Sequence, residues 1–251
     1  IISPAEFELI RVYNMKINIE NFKIFYSSFL GKSVIQIISK KIFLLWPDFN
    51  NSRNAVIGYG FPFLGIFKSN FQRIFFLVPK KFGLLNFFLD EKNLTVSVNE
   101  QNLPLDDLSI DRLLVVNCFE YLYDHKKFLR ESWRILEKDG EIIIVAPNTL
   151  GFWRFFYKKK LNSLKTFTPY ELNLLLSNNF FTFVDIEYCL FFPPSKSRFF
   201  INKLKLFEFL NNSLTKYFSG VIIIRGKKNY LAPVTNDKKI INQKIKGDIK
   251  A

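Results

Sequence analysis

A chain of 251 residues with 49% hydrophobic and 18% aromatic side chains holds enough apolar surface for one large packed domain or two small ones, and is no disordered polymer. Two cysteines, Cys118 and Cys189, are too few for the disulfide framework of a secreted domain and point to a reducing, cytoplasmic setting. Lys and Arg number 36 against 22 Asp and Glu, a charge of +14 that fits a nucleic-acid or anionic-membrane partner, or else A/T-biased codon usage, given Phe 31, Gly 10 and lysines spread along the whole chain.

The opening IISPAEFELIRVYN has no basic stretch followed by an apolar core, so it does not read as a signal peptide. The single methionine, Met15, is the expected start, with residues 1–14 an upstream extension. From Ile19 to Trp46 apolar residues recur at helical spacing, predicting two short helices hinged at Gly31 and closed by Trp46-Pro47. Gly31, Lys32, Lys40 and Lys41 interrupt this run, so it is no membrane span. Asn54 to Gly60 reads as a strand running into Gly-Tyr-Gly-Phe-Pro, with Pro62 opening a helix. Arg73–Val78 is a buried strand stopped by Pro79, Leu84–Asn93 is ambiguous, and Leu94–Val98 alternates as a strand.

Between Asp111 and Pro147 come strand Arg112–Asn117, a helix from N-cap Asp124 to Leu136, Gly140 as a left-handed C-cap, and strand Glu141–Ala146. Two buried strands joined by a helix form a parallel βαβ unit, and such sheets take ligands at the carboxyl ends of their strands. His125, just past the cap, reads as an exposed helix-start residue. A helix from Thr168 follows, then strands Thr182–Phe192 and Gly220–Arg225 around a Phe- and Leu-rich helix near 199–218. The expected architecture is α/β, a Rossmann-like, doubly wound, seven-stranded sheet with an N-terminal helical lead and its last strand inserted antiparallel. Residues 1–20 form an N-terminal extension, 21–228 the domain, and 229–251 a disordered Lys-rich tail, its polar character beginning at Lys227.

Leu103-Pro104, Ile110-Asp111, Glu120, Arg134-Ile135-Leu136, Gly140 and Ile142 to Pro147 together resemble the central block of the class I S-adenosylmethionine-dependent methyltransferases, type 11 subgroup. FYSSFLGK (25–32), Leu45-Trp46-Pro47 and GYGFPFL (58–64) resemble a smaller bacterial branch of that group, and the likeness runs from about Asn21 to Lys228. It implies S-adenosyl-L-methionine as cofactor, held by Gly58, Tyr59, Gly60 and Phe61 of the first loop, with Asn99 and Glu100 near the adenine and Asn117 and Cys118 beside the sulfonium. Gly58 and Gly60 would let the backbone approach the methionine part, although a tight strand-to-helix turn needs glycines too. On this reading Gly58→Val abolishes cofactor binding and leaves the fold largely intact.

The family's acid in the first strand falls at Val56, and its ribose-binding carboxylate falls near Val78, where the sequence reads LVPKK. Charge-assisted hydrogen bonds contribute about 1.5–3 kcal/mol each, so its loss weakens binding roughly tenfold to a hundredfold. The resemblance places the methyl acceptor beside Pro147, Asn148, Trp153 and Arg154; the following Lys158, Lys159 and Lys160 suit a basic lid or a solvated helix face. Glu120 reads as a loop anchor or a chemical group, Cys118 as a buried filler rather than a nucleophile. One histidine and two scattered cysteines offer no metal-ligand spacing. Catalytic residues stay unassigned, since in-line methyl transfer works by proximity and a dedicated base is optional. Besides a methyltransferase with an unknown acceptor, the sequence admits a degenerate interaction module, favoured by Val56 and Val78, and an RNA-binding or RNA-modifying protein, which would cluster its charge on one face.

Overall fold

The computed structural model describes residues 19–48, 52–67, 74–83, 88–89, 92–157, 164–195 and 215–230. Seven strands form one sheet. They are β1 (Asn54–Gly58), β2 (Ile74–Pro79), β5 (Thr95–Val98), β6 (Ile110–Val116), β7 (Leu136–Pro147), β8 (Phe181–Cys189) and β9 (Val221–Lys228), in spatial order β5-β2-β1-β6-β7-β9-β8. The first five run parallel, while β9 enters antiparallel between β7 and β8. A two-stranded ribbon, β3 (Phe88–Leu89) with β4 (Lys92–Asn93), occupies the stretch that the sequence left ambiguous.

Both faces of the sheet are covered, so its central strands are apolar throughout instead of alternating. Val56, Leu114, Ile143 and Ile223 join one core with α1 (Ile19–Ser27) and α2 (Phe29–Leu45). Ala55, Ile57, Leu113, Val115, Ile142 and Ile144 join the other with α3 (His125–Ile135) and α5 (Pro169–Ser177); α4 (Phe152–Tyr157) lies between β7 and α5 in the chain. In α3, Phe128, Leu129 and Ile135 are fully buried at helical spacing, contributing about 1.5–3 kcal/mol each. Asp124 caps it, its Oδ1 accepting the Lys127 N–H at 2.9 Å.

Three local expectations are corrected. The break between α1 and α2 falls at Ser28, whose Oγ accepts the Gly31 N–H at 3.0 Å; Gly31 lies inside α2, where a Cβ would stand 2.0 Å from the Phe25 carbonyl. Gly140 is no left-handed C-cap: among the described glycines positive φ occurs at Gly58 and Gly83, and α3 passes through Leu136 directly into β7. The strand expected at Gly220–Arg225 runs on through Lys227 and Lys228. Both belong to β9, with Lys227 2.8 Å from Asp139 and the buried Lys228 ammonium donating to the Leu136 carbonyl at 2.6 Å while lying 3.9 Å from the Trp133 ring centre. Ile19, the first residue of α1, is already buried in the core. The tail beyond 230, Lys158–Lys160 and most of the helix expected near 199–218 lie outside the described residues.

Candidate cofactor site at the carboxyl rim

The sheet order reverses between β1 and β6, because the chain moves outward from β1 to β2 and β5 and then returns to β6. The segments that follow the two strands pack on opposite faces of the sheet, and at such a point doubly wound sheets take ligands at the carboxyl ends of their strands. β1 ends in Gly58 and β6 in Val116, paired in register. Gly58 has φ +105, and a Cβ on it would sit 2.1 Å from the Val116 carbonyl oxygen and 2.8 Å from the Cys118 Cβ. Glycine is therefore compulsory for the fold as well as useful to a ligand. The expectation that Gly58→Val leaves the fold largely intact is wrong for this reason.

Asn117 follows with φ 52, the left-handed region that asparagine tolerates best among residues with a Cβ. Its Nδ2 donates to the Tyr59 carbonyl at 3.0 Å, joining the first loop to the end of β6. Its Oδ1 accepts the Tyr26 hydroxyl of α1 at 2.8 Å. Phe22 and Tyr26, one helical turn apart, both lie nearly parallel to the Tyr59 ring, at 5.3 and 5.8 Å. Phe22 also meets Phe82 and Tyr121, the former just after β2 and the latter just after β6. Thus α1 lies over the rim, and burial together with Glu20 pushes the Tyr59 phenol up to about 12.

The remaining expected residues divide. Gly60 packs on its own strand, since a Cβ there would be 2.2 Å from Val56 Cγ1, and Phe61 stacks on Phe76 at 4.7 Å. Val56 and Val78 are buried in the core rather than on the rim. Asn99 is exposed, and its Oδ1 is engaged by the Gln101 N–H at 3.0 Å. Glu100 is 2.5 Å from Lys81 Nζ, which also donates to the Tyr121 carbonyl at 2.9 Å. So a lysine, itself tied to an acid just beyond β5, stands near the end of β2. Cys118 is fully buried, and burial followed by Glu120 pushes its thiol well above the usual range, which keeps it a thiol.

Glu120 belongs to a single 3-10 turn, Phe119–Tyr121. Its Oε2 is sealed from solvent and has no hydrogen-bond partner. Burial pushes this carboxyl up to about 7, against the pull of the Glu120 and Cys118 amides and of Lys81. His125 is not exposed, correcting the sequence reading: it is 7% exposed, set edge-on to Phe119 and Phe167, with Nε2 3.0 Å from the Phe119 carbonyl. Burial, then Lys165, lowers it to about 4, so it is neutral and donates to that carbonyl.

Acceptor candidates at the end of β7 are engaged internally. Asn148 is buried, with Nδ2 donating to Ser219 Oγ at 3.0 Å and Oδ1 accepting the Leu150 N–H at 3.1 Å. Trp153 donates from Nε1 to the Phe192 carbonyl at 2.7 Å and packs where a Cβ on Gly220 would stand 2.4 Å from its ring. Arg154 is exposed and donates to the Thr149 carbonyl at 3.1 Å. Sequence reasoning missed Phe22, Tyr26, Lys81, Phe82 and Tyr121 as rim residues. The Phe22–Tyr26 spacing was visible, but it reads equally as core.

Against solved structures, the chain superposes on a SAM-dependent methyltransferase of Thermotoga maritima, described as a possible histamine N-methyltransferase. The TM-score is 0.60 and the identity 17%, over 88% of this chain and 100% of that one. The fold is that of the class I methyltransferases. A second match is the complex of the Haloferax volcanii Trm112 methyltransferase activator with a methyltransferase, at TM-score 0.61 and 12% identity over 84% of this chain and 95% of that chain. The sequence model of the methyltransferase domain matches residues 87–144. A probable S-adenosylmethionine-dependent methyltransferase of Mycobacterium tuberculosis is 33% identical over 57 residues, 23% of this chain and 21% of that protein. The match thus spans about a fifth of the curated relative's length.

S-adenosylmethionine needs close backbone approach, flat apolar surface for a purine and a polar partner for its charged end. The rim carries Gly58 at positive φ, the half-buried rings of Phe22 and Tyr121 with Tyr59 and Phe82 packed into the core against them, and the unpartnered Glu120 oxygen. These residues fit the group, with the ribose carboxylate missing from β2. No helix among the described residues is long and apolar enough to cross a membrane, and no group of three His, Cys, Asp or Glu among them could hold a metal.

Proposed function

We propose that this chain is an S-adenosylmethionine-dependent methyltransferase whose cofactor lies across the first loop, Gly58 to Phe61, and the end of β6 at Asn117 and Cys118. The observation that carries this reading is the junction at the switch point, where Gly58 abuts Val116 and the Asn117 amide bridges to the Tyr59 carbonyl. Asn99 and Glu100 flank the adenine side, and the acceptor enters beside Asn148, Trp153 and Arg154 at the end of β7. Two buried free cysteines fit a reducing compartment, the cytoplasm.

When bound, the cofactor supplies an electrophilic methyl group on a sulfonium. The chain's own part is to hold and exclude. Asn117 fixes the loop against β6 and α1 covers the rim with Phe22 and Tyr26, which would keep water from a bound donor and acceptor. The backbone of the first loop, held in place by the Asn117 side chain, would provide polar contacts at fixed positions, which cost no reorganisation during transfer. Photo-crosslinking with methyl-labelled S-adenosylmethionine tests the placement. Label is expected on the peptide carrying Tyr59 and Phe61, and exclusive labelling of β8 or β9 would move the site elsewhere.

A further inference from the structure

We propose that Glu120 is the counter-charge of the site, the carboxylate that ionises against the positive sulfonium of the bound methyl donor. The inference rests on the methyltransferase reading above and adds a role that the reading does not require.

A chain of formal charge +14 that binds a cation needs a local negative group where the cation lies. Among the described residues near the ends of β2, β5 and β6 the acids are Glu100 and Glu120, with Glu20 of α1 acting on Tyr59. Glu100 is committed to Lys81 at 2.5 Å. Glu120, at the end of β6, keeps an oxygen that is out of water and accepts no hydrogen bond. A buried polar atom without a partner costs stability, so its retention calls for an explanation beyond packing. The other such atom among the described residues, Asn179 Oδ1, lies just before β8, at the opposite edge of the sheet from the rim.

Among the described residues, the charged and titratable groups around Glu120 leave this role open to it. Lys81, beyond β2, lowers its proton affinity but spends its ammonium on Glu100 and the Tyr121 carbonyl. Cys118 is held as a thiol, and His125, from α3, is neutral at physiological pH. Lys165 donates its backbone N–H to the Glu120 carbonyl at 3.1 Å, with its ammonium over the Phe167 ring at 5.5 Å. Burial raises the carboxyl to about 7, against the Glu120 and Cys118 amides, so it keeps a proton more readily than an ordinary carboxylate and a nearby fixed positive charge drives that proton off to solvent. The product, S-adenosylhomocysteine, carries a neutral thioether and exerts no such pull. The site would therefore grip donor over product and loosen once the methyl has left.

Isothermal titration of the full chain at pH 7, in buffers of different ionisation enthalpy, reads this without any acceptor. Binding of S-adenosylmethionine should release a fraction of a proton, and S-adenosylhomocysteine close to none. Glu120→Gln should abolish the release and weaken the donor about tenfold while leaving the product within about twofold. Equal proton release for both ligands, or equal weakening of both by the variant, overturns the inference and leaves the methyltransferase reading standing. If neither ligand binds the wild-type chain, both fall together. The donor–product difference in the wild type needs no variant, so misfolding of Glu120→Gln cannot hide the answer.

Discussion

The two halves of the carboxyl rim are built differently. On the β7–β9 side, polar side chains are turned inward on their own backbone: Asn148 to Ser219 and Leu150, Trp153 to the Phe192 carbonyl. On the β1–β2–β6 side, a glycine in left-handed conformation, an asparagine at φ 52 and a buried carboxyl with a vacant oxygen stand under an aromatic cover. The first half spends its polar groups on structure. The second keeps strain and unused hydrogen-bonding capacity, which is where a ligand site is to be sought.

The largest expected effect breaks this contrast from the donor side. Gly58→Ala should cost at least about 3 kcal/mol, because backbone strain adds to the collision with the Val116 carbonyl, and urea unfolding would measure it. Stability unchanged within error would mean that β1 and β6 are joined otherwise. Next, Asn148→Ala should cost about 1–3 kcal/mol by leaving buried groups unpaired, with donor binding unchanged. If donor binding fell instead, the β7 end would belong to the donor site and not only to the proposed acceptor side. Tyr26→Phe should cost only about 1 kcal/mol of stability, and it frees the Asn117 amide oxygen for a ligand.

The pH dependence sharpens the same contrast. His125 has a folded pKa of about 4 against an ordinary 6.5, so the unfolded chain binds more protons between these values and stability falls as pH drops through that window. Glu120, raised from 4.5 to about 7, does the reverse: the folded chain holds the proton longer, and stability falls as pH rises from 4.5 to 7. Melting curves of His125→Gln should flatten the acid limb, and those of Glu120→Gln the rise-through-neutral limb. A Glu120→Gln curve identical to wild type would mean that the carboxyl is solvated. The smallest effect is expected for Lys81→Met, within about 1 kcal/mol, since its pair with Glu100 is partly exposed.

The sheet was legible in the sequence because its strands are apolar runs bounded by Gly, Pro and polar loops, and the βαβ unit at 111–147 needs only local pattern. The residues that carried the family likeness turn out to be largely structural. Arg134, for example, forks onto the carbonyls of Leu103 and Leu105 and onto Asp107, which holds the loop before β6. What stayed hidden depends on distant partners. His125 is buried because Phe167, far along the chain, comes to its ring. Lys228 is drawn inward by the Leu136 carbonyl and the Trp133 face, although composition alone marks it as tail. Phe22 and Tyr26 belong to the rim because α1 folds back over Tyr59, a contact that no local period encodes.

The account stands or falls on whether the rim at the ends of β1 and β6 accepts an adenosyl sulfonium, and calorimetric titration of the purified chain with S-adenosylmethionine asks this directly. Saturable binding in the micromolar range, about −8 kcal/mol, is the predicted result. Absence of measurable heat at millimolar ligand, from a chain whose melting curve proves it folded, would contradict it.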